Sequence, residues 1–328
     1  MCYGKYAPKL KCTRQPKKKG VLRKEMDRPG FTIGPLHVAW YGVIIVSAAL
    51  VGAWVATIEA KRRKLDPEEV LNGLIVVLIL GIIGARLYHV FSSPAGGSVG
   101  WSYYRQNPIA IFKIWEGGLA VYGAIVGGVV GVVLYCWLRK FKPLEWLDVG
   151  APGLAIAQVI GRWGNFVNQE LYGPPTDLPW GITIPPENRI VPYNDLTRYP
   201  LTTRFHPVFL YESLWSLLGF ALLMWVGRRF KDRLRKGDIF LLYLIWYPVG
   251  RFFVEYLRPD AWVLGPLAAA QVFALIIIAL AVLGVVCLHR RPLPVPETDS
   301  LEGATVEESV SISDAPKGDA ATPDSLEN

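Results

Sequence analysis

The sequence predicts an all-α fold: a polytopic membrane bundle of about seven transmembrane helices, with a small head between the fourth and fifth. Three observations predict it. Only 19% of the 328 residues are charged, against about 25% in an ordinary soluble domain. Those charges are gathered into short clusters, and the stretches between them are apolar runs of roughly 20 residues, enough to cross the ~30 Å hydrocarbon layer as a helix. Such runs have to be helical, because lipid offers no partner to an unpaired backbone N–H or C=O.

Seven runs qualify, in order Leu36–Thr57, Val70–Phe91, Leu119–Leu138, Leu147–Phe166, Val208–Val226, Ile239–Leu257 and Leu267–Leu288. The polar, Pro-rich stretch from Asn168 to His206 is expected to form a head outside the bilayer. Ser92 to Glu116 carries Trp101, Tyr103, Tyr104 and Trp115, which suit the membrane–water interface. The expected division is a basic tail over 1–30, a membrane domain over 31–292 with its head at about 168–206, and a tail over 293–328. That last tail holds nine acids and one lysine and cannot bury a core, so disorder is expected.

Orientation follows from Lys and Arg. Lys61 to Lys64 contribute four, Arg139 to Lys142 three and Arg228 to Lys236 six, followed by Arg290 and Arg291, all on one side of a seven-span chain. The positive-inside rule makes that side cytoplasmic, with the N-terminus outside and the C-terminus inside. The first 30 residues oppose this, with ten Lys and Arg against two acids. The loops agree with one another, and a start at Met26 would remove the conflict.

The formal charge of +8 is concentrated at the ends of apolar runs, as in membrane anchors, so no nucleic-acid partner is expected. Cys2, Cys12, Cys136 and Cys287 lack metal-ligand spacing, and two lie within apolar runs, where a free cysteine is a small hydrophobe. No metal or disulfide framework follows. No secretory signal peptide is expected either, since the first 30 residues contain no apolar core. Gly123, Gly127 and Gly131 form a small-xxx-small ladder, which reads as helix packing.

Chemistry is expected where ionisable groups enter the spans, since a charge at mid-bilayer costs roughly 2.5 kcal/mol or more and needs a partner or a task. The second span holds Arg86 and His89, the fifth opens with His206 and Glu212, and the sixth carries Arg251, Glu255 and then Arg258. The fourth ends in Gly161-Arg162-Trp163-Gly164-Asn165, followed by Asn168, Glu170 and Gly173. In the orientation above all of these fall in the outer leaflet. Arginine's planar fork suits bidentate phosphate in a partly dry place, so the set reads as a site for a phospholipid head group. The alternative is that arginines and glutamates only pair with one another, as Arg251 and Glu255 can at i, i+4.

The run Gly161-Arg162-Trp163-Gly164-Asn165-Phe166-Val167-Asn168-Gln169-Glu170-Leu171-Tyr172-Gly173 resembles the signature of the prolipoprotein diacylglyceryl transferase family. Five further blocks agree in order: Trp40-Tyr41-Gly42, Gly84-Ala85-Arg86-Leu87, Trp115-Glu116-Gly117-Gly118-Leu119, His206-Pro207 with Leu210-Tyr211-Glu212, and Arg251-Phe252-Phe253-Val254-Glu255. The resemblance covers about residues 31 to 290. It implies transfer of the diacylglyceryl group of phosphatidylglycerol to the lipobox cysteine thiol of a prolipoprotein signal peptide in the bacterial plasma membrane. A thioether forms, glycerol 1-phosphate leaves, and no cofactor or metal is used.

On that reading Arg162 and Arg251 bind the phosphate, Asn165 orients the head group, and Glu170 and Glu255 hold the arginines. Tyr41 lines the pocket, Arg86 bridges head group and second span, and Asn168, Gly173 and Arg258 complete the lipid site. Many relatives have a histidine, proposed as general base, where this chain has Tyr122, and a phenol with a pKa near 10 is a poor base at neutral pH. The base is then His206 or Glu255, or the thiol ionises in the arginine field; His206 also reads as an interfacial hydrogen-bonding residue before a proline. The competing classes are another phospholipid-dependent transferase, a transporter, which would show paired halves or broken helices, and a scaffold without activity.

Overall fold

In the computed structural model, residues 29–34, 36–92, 100–114, 117–259, 261 and 263–290 are described. The expectations for the two tails and for Trp115-Glu116 lie outside them. Among the described residues there are eight α-helices: α1 (Trp40–Arg62), α2 (Glu68–Phe91), the short α3 (Trp101–Gln106), α4 (Val121–Leu138), α5 (Pro143–Val167), α6 (Val208–Arg229), α7 (Asp238–Val254) and α8 (Ala269–Arg290). A 3-10 turn, Glu255–Leu257, extends α7. Three two-stranded antiparallel pieces complete the order: β1 (Gly30–Ile33) with β2 (Leu36–Ala39), β3 (Ile182–Thr183) with β4 (Arg204–Phe205), and β5 (Val263–Leu264) with β6 (Leu267–Ala268).

The seven long helices are the seven predicted spans, with corrected edges. The first and last spans begin later than the apolar runs, because Leu36–Ala39 and Leu267–Ala268 pair as strands. Each hairpin turns at a glycine in the left-handed region, Gly34 at φ +58° and Gly265 at φ +65°. Other ends reach into charged residues that suit the helix dipole, with Glu68 and Glu69 in the first turn of α2, and Arg228 and Arg229 in the last turn of α6. α5 opens four residues early with Pro143, whose missing N–H costs nothing at a helix start.

Six of these helices are long and apolar enough to cross a membrane. The seventh, α5, is long enough but more polar, and it packs against α1, α6 and α7. Small residues line the contacts and large apolar ones point outward, as at Leu50, Val126 and Leu280. That arrangement fits association in lipid, where close backbone approach replaces the hydrophobic effect. Two antiparallel pairs carry it. In α2–α4, a Cβ on Gly127 would lie 2.1 Å from the Leu80 carbonyl oxygen, and one on Gly123 2.2 Å from that of Gly84. In α1–α5, a Cβ on Gly153 would lie 2.4 Å from the Gly52 carbonyl oxygen.

The basic clusters meet at one end of the bundle, each against a buried acid. Glu59 accepts from Arg62 at 2.7 Å and from Arg228 at 3.2 Å. Asp148 accepts from Arg63 at 3.3 Å and from the Gly237 and Phe240 N–H groups at 2.8 and 2.9 Å. Glu69 is held by Arg139 and Tyr135. At the other end, residues 168–206 fold over their own core of Tyr172, Ile184, Tyr193 and Phe205. Buried Arg189 ties this head together, donating to the carbonyls of Ile184 and Tyr199 at 2.7 Å and lying over the Phe205 ring.

Gly127→Ala is expected to lower stability by about 1–3 kcal/mol, the usual cost of overpacking. At Gly150, an added Cβ meets nothing within 4 Å, so Gly150→Ala should hold or raise the midpoint. Thermal denaturation of both variants in detergent checks this; equal midpoints would contradict the close-packed α2–α4 seam.

Candidate active site

At the head-proximal end, α5, α6 and α7 bring four charged side chains together. Glu212 sits in the second turn of α6, with its carboxylate 6% exposed. Its Oε1 accepts from Arg251 Nη1 at 2.9 Å, and its Oε2 lies 3.0 Å from Arg162 Nη1. Arg251 in turn reaches Glu255 Oε2 at 2.5 Å, the i, i+4 pair along α7. Arg162 Nη2 donates to the Tyr247 hydroxyl at 3.3 Å. The carboxylates are buried, while the Arg162 and Arg251 side chains remain 19% and 18% exposed. A recess beside them is lined by Glu212, Trp215, Tyr247, Gly250 and Arg251.

The signature run surrounds this cluster from the α5 side. Gly164 takes the Tyr41 ring, which a Cβ there would meet at 2.8 Å; Tyr41 also lies within electrostatic reach of Arg162 and Glu170. Asn165 is buried, and its carbonyl accepts from the Glu170 N–H at 2.9 Å. The chain then leaves α5 in a strained turn, with Gln169 and Leu171, neither a glycine, at φ +54° and +57°. Such strain persists only where surroundings impose it, and it clusters at functional sites. Gly173 is needed for close approach: its N–H donates to the His206 carbonyl at 2.9 Å, and a Cβ would meet the Leu257 carbonyl oxygen at 3.1 Å.

Of the residues the sequence singled out, Arg162, Arg251, Glu255 and Tyr41 thus gather with Asn165 and Gly173 around one end of α5. Glu170 does not hold an arginine; its Oε1 lies 3.4 Å from Asn168 Nδ2, and Glu212 takes the bridging place. Arg258 follows the 3-10 turn, its N–H donating to the Glu255 carbonyl at 3.1 Å. His206 Nδ1 lies 3.1 Å from the Tyr211 hydroxyl, which accepts from Trp180 Nε1 at 3.0 Å. Tyr122 is 54% exposed, with its ring beside Tyr88.

Arg86 has a different task from the head-group bridge expected of it. Its guanidinium donates to the carbonyls of Ala110, Ile111, Gly117 and Gly118 at 2.5–3.0 Å and more distantly to Lys113. It gathers the loop between α3 and α4, whose Gly117 and Gly118 run at φ +87° and +76°. Tyr247 was missed, and Glu212, singled out as a charge inside a span, was not assigned its partners, because nothing local does so. Tyr247 had a weaker signal, one turn before Arg251 on the same face.

The fold is that of a polytopic membrane bundle, and its site pairs two arginines with two buried acids near a small recess. Comparison with known proteins makes the class specific. A sequence model of the prolipoprotein diacylglyceryl transferase family matches residues 29–287, and the chain belongs to that family. It is 43% identical over 273 residues to the phosphatidylglycerol–prolipoprotein diacylglyceryl transferase of Chloroflexus aggregans, covering 79% of this chain and 87% of the relative. It is 42% identical over 269 residues to the enzyme of that name from Nostoc sp., covering 81% and 90%. A Listeria monocytogenes enzyme of that name is 38% identical over 273 residues, covering 83% and 92%.

Arg86→Lys is expected to free the loop over residues 110–118, because one ammonium cannot reproduce donation to several carbonyls from a planar fork. Limited proteolysis should then cut this loop faster than in the parent, and an unchanged cleavage pattern would count against the anchoring role.

Proposed function

We propose that Arg162 and Arg251 grip the phosphate of phosphatidylglycerol while the lipobox cysteine thiol of a prolipoprotein attacks the adjoining glycerol carbon. The sulfur–carbon bond forms as the carbon–oxygen bond to phosphate breaks. The electron pair leaves on the phosphate oxygen, glycerol 1-phosphate departs, and the protein keeps a diacylglyceryl thioether. The observation that carries this reading is one buried carboxylate, Glu212, held against two partly exposed arginines from two other helices.

Glu212 and Glu255 hold the guanidiniums in place, and Tyr247 steadies Arg162. On this reading Tyr41, Asn165, Asn168, Glu170, Gly173 and Arg258 complete the lipid site around the arginines. Preorganised donors facing the phosphate act on charge that grows on its oxygens as the bond to carbon breaks. The thiol, with an ordinary pKa near 8.5, gives its proton to water as it attacks, and no residue is assigned as a dedicated base. Neither Tyr122, exposed beside Tyr88, nor His206, occupied by Tyr211, is given that role.

The basic end of the bundle faces the cytoplasm and the head faces outward, as the positive-inside rule supports. The site then opens in the outer leaflet of the bacterial plasma membrane, where the lipid head group and the acceptor cysteine can meet.

With phosphatidylglycerol and a lipobox peptide, the parent protein should add the mass of one diacylglyceryl group. Arg162→Ala should cut turnover at least ~10²-fold, as loss of a preorganised donor does, with the protein still folded. Arg162→Lys should recover little, since a point charge does not reproduce the fork. Near-normal turnover of the Ala variant would refute the assignment. Tyr122→Phe should lose less than about tenfold, below the ~10²–10⁴ that a general base supplies; a larger loss would restore the phenol to the mechanism.

A further inference from the structure

We infer that Trp215 and Trp246 form a clasp between α6 and α7 that sets the spacing of Glu212 and Arg251, making both tryptophans positioning residues for the transfer reaction. The inference rests on the reading that Arg162 and Arg251 hold the phosphate. The two indole rings stack with centroids 4.4 Å apart and planes 14° from parallel. The contact is reciprocal. Trp215 Nε1 donates to the Trp246 carbonyl at 2.9 Å, and Trp246 Nε1 donates to the Trp215 carbonyl at 3.0 Å. A carbonyl has two lone pairs, so these bonds add to the helical ladder without breaking it.

Each ring also lies on a glycine of the facing helix. A Cβ on Gly250 would come within 2.2 Å of the Trp215 ring, and one on Gly219 within 2.5 Å of the Trp246 ring. Two rigid rings, two directional bonds and two glycine seats leave α6 and α7 a single relative register. A slip of one residue would move the helices by about 1.5 Å and lose all of them.

The clasp lies just beneath the ion cluster. Trp215 follows Glu212 by three residues, about 4.5 Å along the helix axis, and Trp246 immediately precedes Tyr247, the partner of Arg162. Trp215 and Gly250 line the same recess as Glu212, Tyr247 and Arg251. The ion pairs tie side chains to one another but do not by themselves fix the spacing of the helix backbones, since Glu212 Oε2 sits beside Arg162 without an aligned hydrogen bond. Long, flexible Arg and Glu side chains can follow a shifted backbone and still pair; the stacked indoles cannot. Misplacing a reacting group by about 1 Å can cost ~10²-fold in rate, so the rigid element belongs next to the flexible one.

The test uses the full-length enzyme in bilayer nanodiscs containing phosphatidylglycerol. Trp215→Phe and Trp246→Phe keep an aromatic ring and lose the N–H donor; Gly250→Ala keeps both tryptophans and displaces one. Each is made alone and with Arg251→Lys, and kcat and KM for a lipobox peptide are read per folded molecule. Each single change should lower kcat by about tenfold with the peptide KM within about twofold. Added to Arg251→Lys, it should cost no more, because the residue it positions has already been replaced. Losses that multiply across the cycle, or an unchanged kcat per folded molecule, would make the pair a plain packing contact and overturn the inference. If the Phe variants do not fold, Gly250→Ala runs through the same cycle, and the same two results would overturn the inference. Arg251→Lys alone at the parent rate would sink the phosphate reading, and the clasp with it.

Discussion

One carboxylate decides the architecture. Glu212 is buried where an isolated charge would be costly, and the two guanidiniums that neutralise it come from different helices. Stripping one partner from a buried ion pair typically costs about 3–5 kcal/mol, so α5, α6 and α7 have to meet at this level of the bundle. The arrangement also solves a problem for the arginines, which would repel one another if brought together bare. With acids between them they can sit at one level of the bundle.

The rest of the bundle makes that meeting possible with little polar material in its middle. Glycine seams bring α1 against α5 and α2 against α4 at backbone distance, which is how helices associate in a solvent as apolar as their own side chains. At the opposite end, Glu59, Asp148 and Glu69 each tie basic residues across helices. Arginine serves a third purpose at Arg86 and Arg189, both buried, where the guanidinium collects backbone carbonyls and fastens a loop. One residue type therefore serves as ion-pair tie and as loop anchor, and the proposed phosphate grip adds a third use.

That diversity marks how far the sequence could be read. The spans were legible because hydropathy over 20 residues is a strong, local signal. Arg251–Glu255 was legible because i, i+4 spacing fixes a shared face, and the signature run was legible by its composition. Glu212 was not assigned its partners, because those depend on how α6 is rotated against α5 and α7, which no local spacing encodes. For the same reason Glu170 was given a partner that Glu212 holds, and Arg86 was read as a lipid contact when the carbonyls of its own loop take its donors. The second strands of the hairpins ahead of α1 and α8 were hidden inside apolar runs, since a short apolar strand and the start of a membrane helix share one composition.

Charge counting gives the arrangement a further meaning. With two arginines against two glutamates the cluster is formally neutral, so on the proposed reading it would offer a phosphodiester directed N–H donors more than net attraction. In the proposed reaction that phosphate starts as a diester with one negative charge and leaves as a monoester carrying about 1.5–2 at neutral pH, as phosphate monoesters do. Donors fixed at the arginine edges interact more strongly as the charge grows, whereas a strongly cationic pocket would hold substrate and product tightly alike. Only interactions that strengthen toward the transition state accelerate a reaction. In the proposed reaction, arginines neutralised by the acids that hold them would meet that condition.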